Sequence, residues 1–164
     1  MTMTFKKMVN PDEIAEFWRR KQKYHDRDIF PSLSEEDIRY FNSKKYYDII
    51  MDLHQTPKNG SVGLQFVFFY QDLTYLGFTM YKIYPQEDGK AFILDYCIEP
   101  SYRNQGLGSQ VFQELERLLT SEGALFVELN SGEPSEPDGR FWVKQGFIPK
   151  ERDEDGVMLY LKSS

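Results

Sequence analysis

Cysteine and histidine are scarce in this 164-residue chain, which contains one cysteine, Cys97, and two histidines, His25 and His54. A single cysteine excludes a disulfide within the chain and a zinc site built from cysteines. The histidines lie far apart in sequence, so we expect no bound metal. No stretch approaches the roughly 20 apolar residues of a membrane span, and residues 1–10 contain no signal-like apolar run. We therefore expect a cytoplasmic protein without a membrane partner.

Positively charged residues are fewer than negatively charged ones. The chain has 20 lysine and arginine residues and 26 aspartate and glutamate residues, which gives a net charge of −6. A broad basic surface for nucleic acid is therefore not expected. Hydrophobic residues make up 40% of the chain and charged residues 28%, proportions typical of a folded globular protein. With this length they predict one domain over residues 1–164.

Two helices are predicted in the first third of the chain. Asn10 suits a helix cap, Pro11 the first helical position and Glu13 the third, so one helix begins there. A second helix begins after Ser34, and residues 26–33 between the two are predicted to form a loop. The predicted buried stripe of the second helix consists of Ile38, Phe41, Ile49, Ile50 and Leu53.

Strands are predicted to follow a break at Asn59-Gly60. Three runs rich in β-branched and aromatic residues are joined by short turns, which predicts an antiparallel meander. The three runs are residues 64–70, 75–84 and 91–98. A helix then begins at Leu107 and ends at Gly123, before a strand at residues 125–129. This strand–helix–strand unit predicts a right-handed crossover between parallel strands.

Short elements complete the predicted fold. A strand is expected at residues 4–9, a helix at residues 139–145, and a closing hairpin from residues 147–149 and 157–161. Together, the elements predict an α+β fold with a mixed, mostly antiparallel central sheet flanked by helices.

A loop with two glycines, Gly106 and Gly108, precedes the long predicted helix. The first amides of a helix have no partner within it, and the helix dipole adds partial positive charge there. Since the glycines carry no side chains and Arg103 adds a charge, this segment suits a diphosphate. The P-loop and dinucleotide patterns do not fit, because Ser109 and Val111 stand where they require other residues. The alternative is a tight turn without a ligand.

Residues 103–108 read Arg-Asn-Gln-Gly-Leu-Gly, and residues 141–147 begin with Phe-Trp and end with Gly-Phe. In these two segments the chain resembles the GNAT family of N-acetyltransferases. The first segment matches the family's acyl-CoA loop position by position, and the second resembles its aromatic pair followed by Gly-Phe. The resemblance covers residues 91–149 specifically and implies the GNAT-like acyl-CoA N-acyltransferase fold.

The resemblance implies transfer of an acetyl group from acetyl-CoA to a primary amine of a small molecule or peptide, by direct attack in a ternary complex. It implies that amides of residues 105–109 hold the diphosphate, and that residues 96–98 line the pantetheine arm. The residues implied to bind acetyl-CoA are Tyr96, Cys97, Ile98, Arg103, Asn104, Gln105, Gly106, Leu107, Gly108, Ser109, Asn130 and Trp142. A homodimer is an option that the sequence leaves open.

One position departs from the family pattern. Many members carry a tyrosine there as the general acid, whereas this chain has Trp142, whose indole N–H donates hydrogen bonds without ionising. Candidate replacements are Tyr96, Tyr102 and Tyr160. A non-catalytic acyl-CoA-binding sensor is therefore the alternative function.

Asp95 and Tyr96 are the candidate catalytic residues on the strand beside the expected thioester. An attacking amine must lose a proton, so Asp95 is a candidate base or amine anchor; the alternative is a structural carboxylate at the strand end. Cys97 is expected to be a core residue rather than a nucleophile. His25 is expected on the surface of the loop after the first helix, with a place beside the acceptor as the alternative.

Overall fold

A computed structural model describes residues 2–55 and 62–163, so the predicted break at Asn59-Gly60 lies outside the described residues. The strands are β1 Met3–Lys7, β2 Gln65–Gln71, β3 Thr74–Ile83, β4 Lys90–Ile98, β5 Phe126–Ser131, β6 Ile148–Arg152 and β7 Met158–Ser163. The α-helices are α1 Pro11–Tyr24, α2 Glu35–Phe41, α3 Lys44–Gln55, α4 Leu107–Ser121 and α5 Pro137–Lys144. No helix among these residues is both long and apolar enough to cross a membrane.

The seven strands form one sheet in the order β1-β2-β3-β4-β5-β7-β6. Neighbouring strands are antiparallel except β4 and β5, which run parallel and are connected through α4. The predicted meander, the parallel crossover and the closing hairpin are confirmed. The α+β fold class with a mixed, mostly antiparallel sheet is confirmed as well.

Helix α1 begins where its capping residues predict. The Asn10 side chain accepts a hydrogen bond from the Glu13 amide at 2.9 Å, and Glu13 accepts one from the Asn10 amide at 3.1 Å. This reciprocal pair satisfies amides that the first turn leaves unpaired. The cap fixes the start of α1 and allows Phe17 to lie fully buried against the sheet.

The prediction of a single second helix is wrong, because the structure has two helices there, α2 and α3. Between them, the Ser43 hydroxyl donates to the Tyr40 carbonyl at 2.6 Å and accepts from the Tyr46 amide at 3.2 Å. These side-chain bonds end one helix and begin the next, which changes the buried face. Ile49 is consequently 42% exposed, whereas Ile50 is buried.

The predicted loop after α1 is also wrong, because the chain continues as a π-helix, His25–Ile29, and a short 3-10 helix, Phe30–Ser32. The wider turn carries His25 inward, where it is 5% exposed and lies 5.2 Å from the Phe30 ring and 5.4 Å from the Phe41 ring. His25 is therefore a buried residue, contrary to the expected surface position.

An apolar cluster covers each face of the sheet, since successive strand residues point to opposite faces. Val67 and Phe69 belong to the cluster under α4 and α5, whereas Phe66 and Phe68 belong to the cluster under α1 and α3. Cys97 lies in the second cluster, which confirms its expected place in the core.

Candidate functional site

Strands β4 and β5 separate partway along their length. Their parallel ladder pairs Lys90–Ile93 with Phe126–Leu129. Beyond it, β4 remains paired with β3 as far as Ile98, and β5 remains paired with β7 as far as Ser131. One edge of each strand therefore faces a gap, and such edges can bind an extended, amide-bearing ligand as an added strand.

A bulge in β4 coincides with this separation. Ile93 pairs with Tyr81 and Asp95 pairs with Met80, which leaves Leu94 as an extra residue in β4. A bulge bends its strand and redirects the side chains next to it. The bend accounts for the departure of β4 from β5, and it turns Asp95 towards α1.

The loop between β4 and α4 enters the helix through left-handed backbone. Asn104 has a φ of 61° and Gly106 a φ of 79°, a conformation that glycine adopts without a steric cost. The Gln110 amide donates to the Gly106 carbonyl at 3.2 Å, so helix geometry leaves the amides of residues 107–109 without an intrahelical partner. These amides and the helix dipole make the start of α4 suitable for binding an anion.

Gly108 lies where α4 meets α5 and β4. A Cβ on Gly108 would lie 3.1 Å from Cε1 of Phe141, and the Gly108 carbonyl accepts a hydrogen bond from the Tyr96 hydroxyl at 2.7 Å. Ser109 accepts from the Gln145 side chain at 2.8 Å. These contacts fix the start of α4, so Gly108 is needed for packing as well as for access to the amides.

The Arg103 guanidinium is directed at Asp28 in the π-helix. Its Nη2 lies 2.6 Å from Oδ2 of Asp28, and its Nε donates to the Ile98 carbonyl at 2.7 Å. Arg27 also contacts Asp28, at 2.9 Å. Burial opposes ionisation of Asp28, but hydrogen bonds from Arg103 and Arg27 lower its pKa. The expected contact of Arg103 with a diphosphate stays a prediction.

A cavity of about 570 Å³ joins the gap between β4 and β5 to the end of α1. Its lining residues are Tyr24, Asp28, Ile29, Ile93, Leu94, Asp95, Tyr96, Cys97, Ile98, Arg103, Asn104, Gly106, Gly108, Ser109, Leu129, Asn130, Ser131, Pro137, Asp138, Phe141, Trp142 and Lys144. Both candidate catalytic residues and most of the predicted acetyl-CoA-binding residues are thus brought together. Gln105 and Leu107 lie outside this lining, and the Gln105 side chain donates to the Ser101 carbonyl at 3.0 Å.

Trp142 is buried within an aromatic group on the α5 side of this cavity. Its ring centroid lies 5.2 Å from that of Tyr96, 5.4 Å from that of Phe112 and 5.3 Å from that of Phe147. Trp142 therefore packs against these rings and lines the cavity, but it has no ionisable group.

The three tyrosines considered as replacement acids are placed differently. Tyr96 lines the cavity, but its hydroxyl donates to the Gly108 carbonyl, and burial raises its pKa well above the usual range. Tyr160 donates to the Gly132 carbonyl at 2.6 Å. Tyr102 packs against the apolar cluster beneath α4. The cavity lining therefore includes Tyr96 but neither Tyr102 nor Tyr160.

Asp95 forms an ion pair with Lys21 of α1. The Lys21 side chain is 1% exposed, and its ammonium lies 3.0 Å from Nε2 of His25. Burial opposes the charged form of Lys21, but the Asp95 carboxylate raises its pKa. Burial and the nearby ammonium lower the pKa of His25 to about 4. At neutral pH His25 is uncharged, so its Nε2 accepts a hydrogen bond from Lys21.

Asn130 and Cys97 line the same cavity in different environments. The Asn130 amide donates to Asp153 at 3.3 Å, and the Cys97 sulfur lies 3.7 Å from Arg27 Nη2. Burial raises the pKa of the Cys97 thiol to about 12, so Cys97 is not a thiolate nucleophile. In the described part of the chain, His, Cys, Asp and Glu form no group of three that could hold a metal ion.

Sequence reasoning missed Tyr24, Lys21 and Asp28 as site residues. Lys21 was recognisable, because it follows Phe17 by four residues and therefore falls on the buried stripe of α1, where a charge is unexpected. Tyr24 continues that stripe and lines the cavity. Asp28 carried no local signal, because its partner Arg103 is 75 residues away in sequence.

A family model for the Acetyltransferase (GNAT) family matches residues 18–147 of this chain. The chain belongs to the GNAT family. The predicted resemblance to the GNAT family is thereby confirmed. A search of curated proteins finds no match.

Several solved structures share the fold at low sequence identity. The PaiA N-acetyltransferase of Thermoplasma acidophilum, in complex with coenzyme A, is 20% identical over the whole of both chains, with a TM-score of 0.72. Ard1 of Thermoplasma volcanium is 19% identical over 98% of this chain and 95% of its own, with a TM-score of 0.58. N-acetylglutamate synthase of Neisseria gonorrhoeae, complexed with coenzyme A and N-acetyl-glutamate, is 12% identical over 99% of this chain and 35% of its own, with a TM-score of 0.63.

Proposed function

We propose that this GNAT protein transfers an acetyl group from acetyl-CoA to a primary amine of a small molecule or peptide. The observation that carries the proposal is a single cavity where the separated edges of β4 and β5 meet the start of α4. The helix amides suit a diphosphate, the strand edges suit an amide-bearing arm, and the Asp95 carboxylate lies in the same lining. Coenzyme A in two of the structural neighbours supports the same use.

Acetyl-CoA is the donor substrate in this proposal and supplies the thioester. The backbone amides of residues 107–109 hold its diphosphate, and the free edge of β4 over residues 94–98 holds the pantetheine amides. Tyr96 and Phe141 both contact Gly108 and thereby hold the start of α4 in place. The donor is therefore held mainly by main-chain groups, whose positions depend on α4 and β4.

In the proposed reaction, the amine nitrogen forms a bond to the thioester carbonyl carbon, and the carbon–sulfur bond breaks with its electron pair leaving on sulfur. An alkylammonium gives one proton to Asp95 before the nitrogen attacks, and the nitrogen loses a second proton after the attack, which the departing thiolate takes up. Such a base is needed because an alkylamine with a pKa of about 10.4 is mostly protonated at neutral pH. The thiolate leaves without a tyrosine at position 142, since a CoA thiol with a pKa near 8.5 is a good leaving group.

A second candidate, an acyl-CoA-binding sensor without turnover, is favoured by two observations. Trp142 stands at the position of the family's usual acid, and the Tyr96 hydroxyl is bonded to the Gly108 carbonyl. The two candidates make the same prediction for binding and opposite predictions for turnover.

Thermal melting with acetyl-CoA tests the binding step. At a hundredfold excess over the dissociation constant, a ligand stabilises by about 2.7 kcal/mol, which raises the midpoint by roughly 5–10 °C for a chain of this size. Gly106→Asp should abolish this shift, because its carboxylate repels the diphosphate and occupies the same amides. Gly123→Asp is the matched control, since Gly123 also has a positive φ and open space at the Cβ position but lies at the other end of α4.

Release of thiol from acetyl-CoA across a panel of primary amines tests turnover. We expect release that depends on both the amine and the wild-type protein. A melting shift without thiol release for small amines and peptides would favour the sensor. The absence of any melting shift would overturn both candidates.

A further inference from the structure

Lys21 places a charge where α1 otherwise buries apolar side chains. Phe17, one turn earlier on the same stripe, is fully buried, and Lys21 itself is 1% exposed. Its ammonium contacts Asp95 of β4 and His25 of the π-helix, and it lies 5.3 Å from the centre of the Tyr46 ring on α3. Groups from three other elements therefore surround one ammonium.

The two ends of this ion pair differ in exposure. Lys21 is sealed under α1, whereas the Asp95 side chain is 14% exposed and lines the cavity. The carboxylate oxygen Oδ2 faces Lys21, which orients the carboxylate on the cavity wall. The Asp95 carbonyl is held as well, by the Thr79 hydroxyl at 2.7 Å. Backbone and carboxylate of Asp95 are thus both fixed from the side away from the cavity.

Stability alone does not account for such a pair. Removing two charges from water costs several kcal/mol per ion, and apolar residues of similar volume are often as stable or more stable at such positions. Under α1, where Phe17, Phe66 and Phe78 pack together, an apolar pair would suit the surroundings. The free-energy cost of burying this ion pair is explained if the Asp95 carboxylate has a role in the reaction in the cavity.

We infer that Lys21 is a positioning residue for the transfer reaction, because it holds the Asp95 carboxylate in the cavity where that carboxylate would accept the proton of the amine. His25 holds Lys21 in turn, because its uncharged Nε2 can accept a second hydrogen bond from the ammonium. The inference rests on the proposed function. It gives helix α1, which lies outside the motif at residues 103–108, a role in the reaction.

A double-mutant cycle over Lys21→Met and Asp95→Asn tests the inference. We expect Asp95→Asn to lower kcat by about 10²–10⁴-fold and Lys21→Met to lower it by a similar factor. The double variant should be no slower than Asp95→Asn alone, because Lys21 acts only through Asp95. In all three variants the melting shift with acetyl-CoA should remain. Lys23→Met, the same change on the exposed side of α1, is the matched control and should retain wild-type kcat.

Three results would overturn the inference: an undiminished kcat in Lys21→Met, an undiminished kcat in Asp95→Asn, or losses that multiply in the double variant. If Lys21→Met does not fold, Lys21→Leu, which likewise offers no donor to Asp95, takes its place under the same criterion. A wild-type protein that binds acetyl-CoA but releases no thiol with any amine would instead overturn the proposed function, and this inference with it.

Discussion

The two faces of β4 meet the same cavity through different kinds of contact. On the face under α4, the Tyr96 hydroxyl is hydrogen-bonded to a main-chain carbonyl, and the groups proposed to hold the diphosphate are main-chain amides. On the face under α1, the next residue back, Asp95, is held by the Lys21 side chain. The proposed donor side is thus built from backbone groups, and the proposed acceptor side from side chains.

The sequence separations of the contacts follow the same division. Tyr96 and Gly108 are 12 residues apart, whereas Lys21 and Asp95 are 74 apart. A short segment that uses backbone groups leaves a readable pattern of glycines, while a long-range pair of side chains leaves none. The difference implies that the donor can be inferred from a motif and that the acceptor requires the folded structure.

The strongest way to separate the two faces is Asp95→Asn. We expect kcat for amine-dependent thiol release to fall by about 10²–10⁴-fold, because an amide cannot accept the proton. The affinity for acetyl-CoA, measured by titration, should stay within a few-fold of wild type, since the donor side is on the opposite face.

Asp95→Asn also leaves the Lys21 ammonium buried without its counterion, which is destabilising. The kinetics should therefore be compared at a temperature where both proteins are folded. Asp52→Asn on the exposed side of α3 is the control and should retain wild-type rates. A parallel loss of acetyl-CoA affinity in Asp95→Asn would contradict the separation of the two faces.

Features that depend on residues close together in sequence were predicted, whereas features that depend on distant residues were not. The cap at Asn10 and the glycines at residues 106 and 108 act within a few residues of themselves, so local rules identified them. The break between α2 and α3 was missed, because Ser43 looks like an ordinary polar residue within a helical stripe. His25 was misjudged for another reason, because its burial depends on the π-helix, which no local pattern indicated. Lys21 falls on the buried stripe of α1, but its partner Asp95 is 74 residues away in sequence.

The acceptor side should also respond to pH through His25. An unfolded histidine has a pKa near 6.5, whereas burial and the nearby Lys21 ammonium lower the pKa of His25 to about 4 in the folded protein. The unfolded chain therefore binds more protons between these pH values. The free energy of unfolding should therefore fall by roughly 1–3 kcal/mol as the pH drops from 6.5 to 4. Denaturant unfolding across this range measures it.

His25→Gln removes the titrating group while keeping an acceptor for Lys21, and it should flatten this pH dependence. His54→Gln is the control, since the His54 ring is bonded to the Leu64 carbonyl at 2.6 Å and belongs to a different contact. An equal slope in wild type and His25→Gln would show that other groups cause the pH dependence.

A smaller effect is expected on the donor side from Tyr96→Phe. The variant loses one hydrogen bond to the Gly108 carbonyl, worth about 0.5–1.5 kcal/mol, so the melting midpoint should fall by roughly 1–6 °C. Acetyl-CoA affinity and kcat should each fall by at most about tenfold. A loss of kcat by a factor of a hundred or more would instead identify Tyr96 as the acid that replaces a tyrosine at position 142.

The smallest effect is expected where the two sides touch, at the ion pair of Asp28 and Arg103. Their side chains are 21% and 37% exposed, and such a pair contributes about 0.2–1 kcal/mol. In Asp28→Asn, Arg103 loses its carboxylate partner next to the proposed diphosphate site. Acetyl-CoA should then bind about two- to fivefold more tightly at low salt, and the gain should vanish at high salt because salt screens the attraction. Asp48→Asn is the control, and weaker binding in Asp28→Asn would mean that Asp28 positions Arg103 for the donor rather than competing for it.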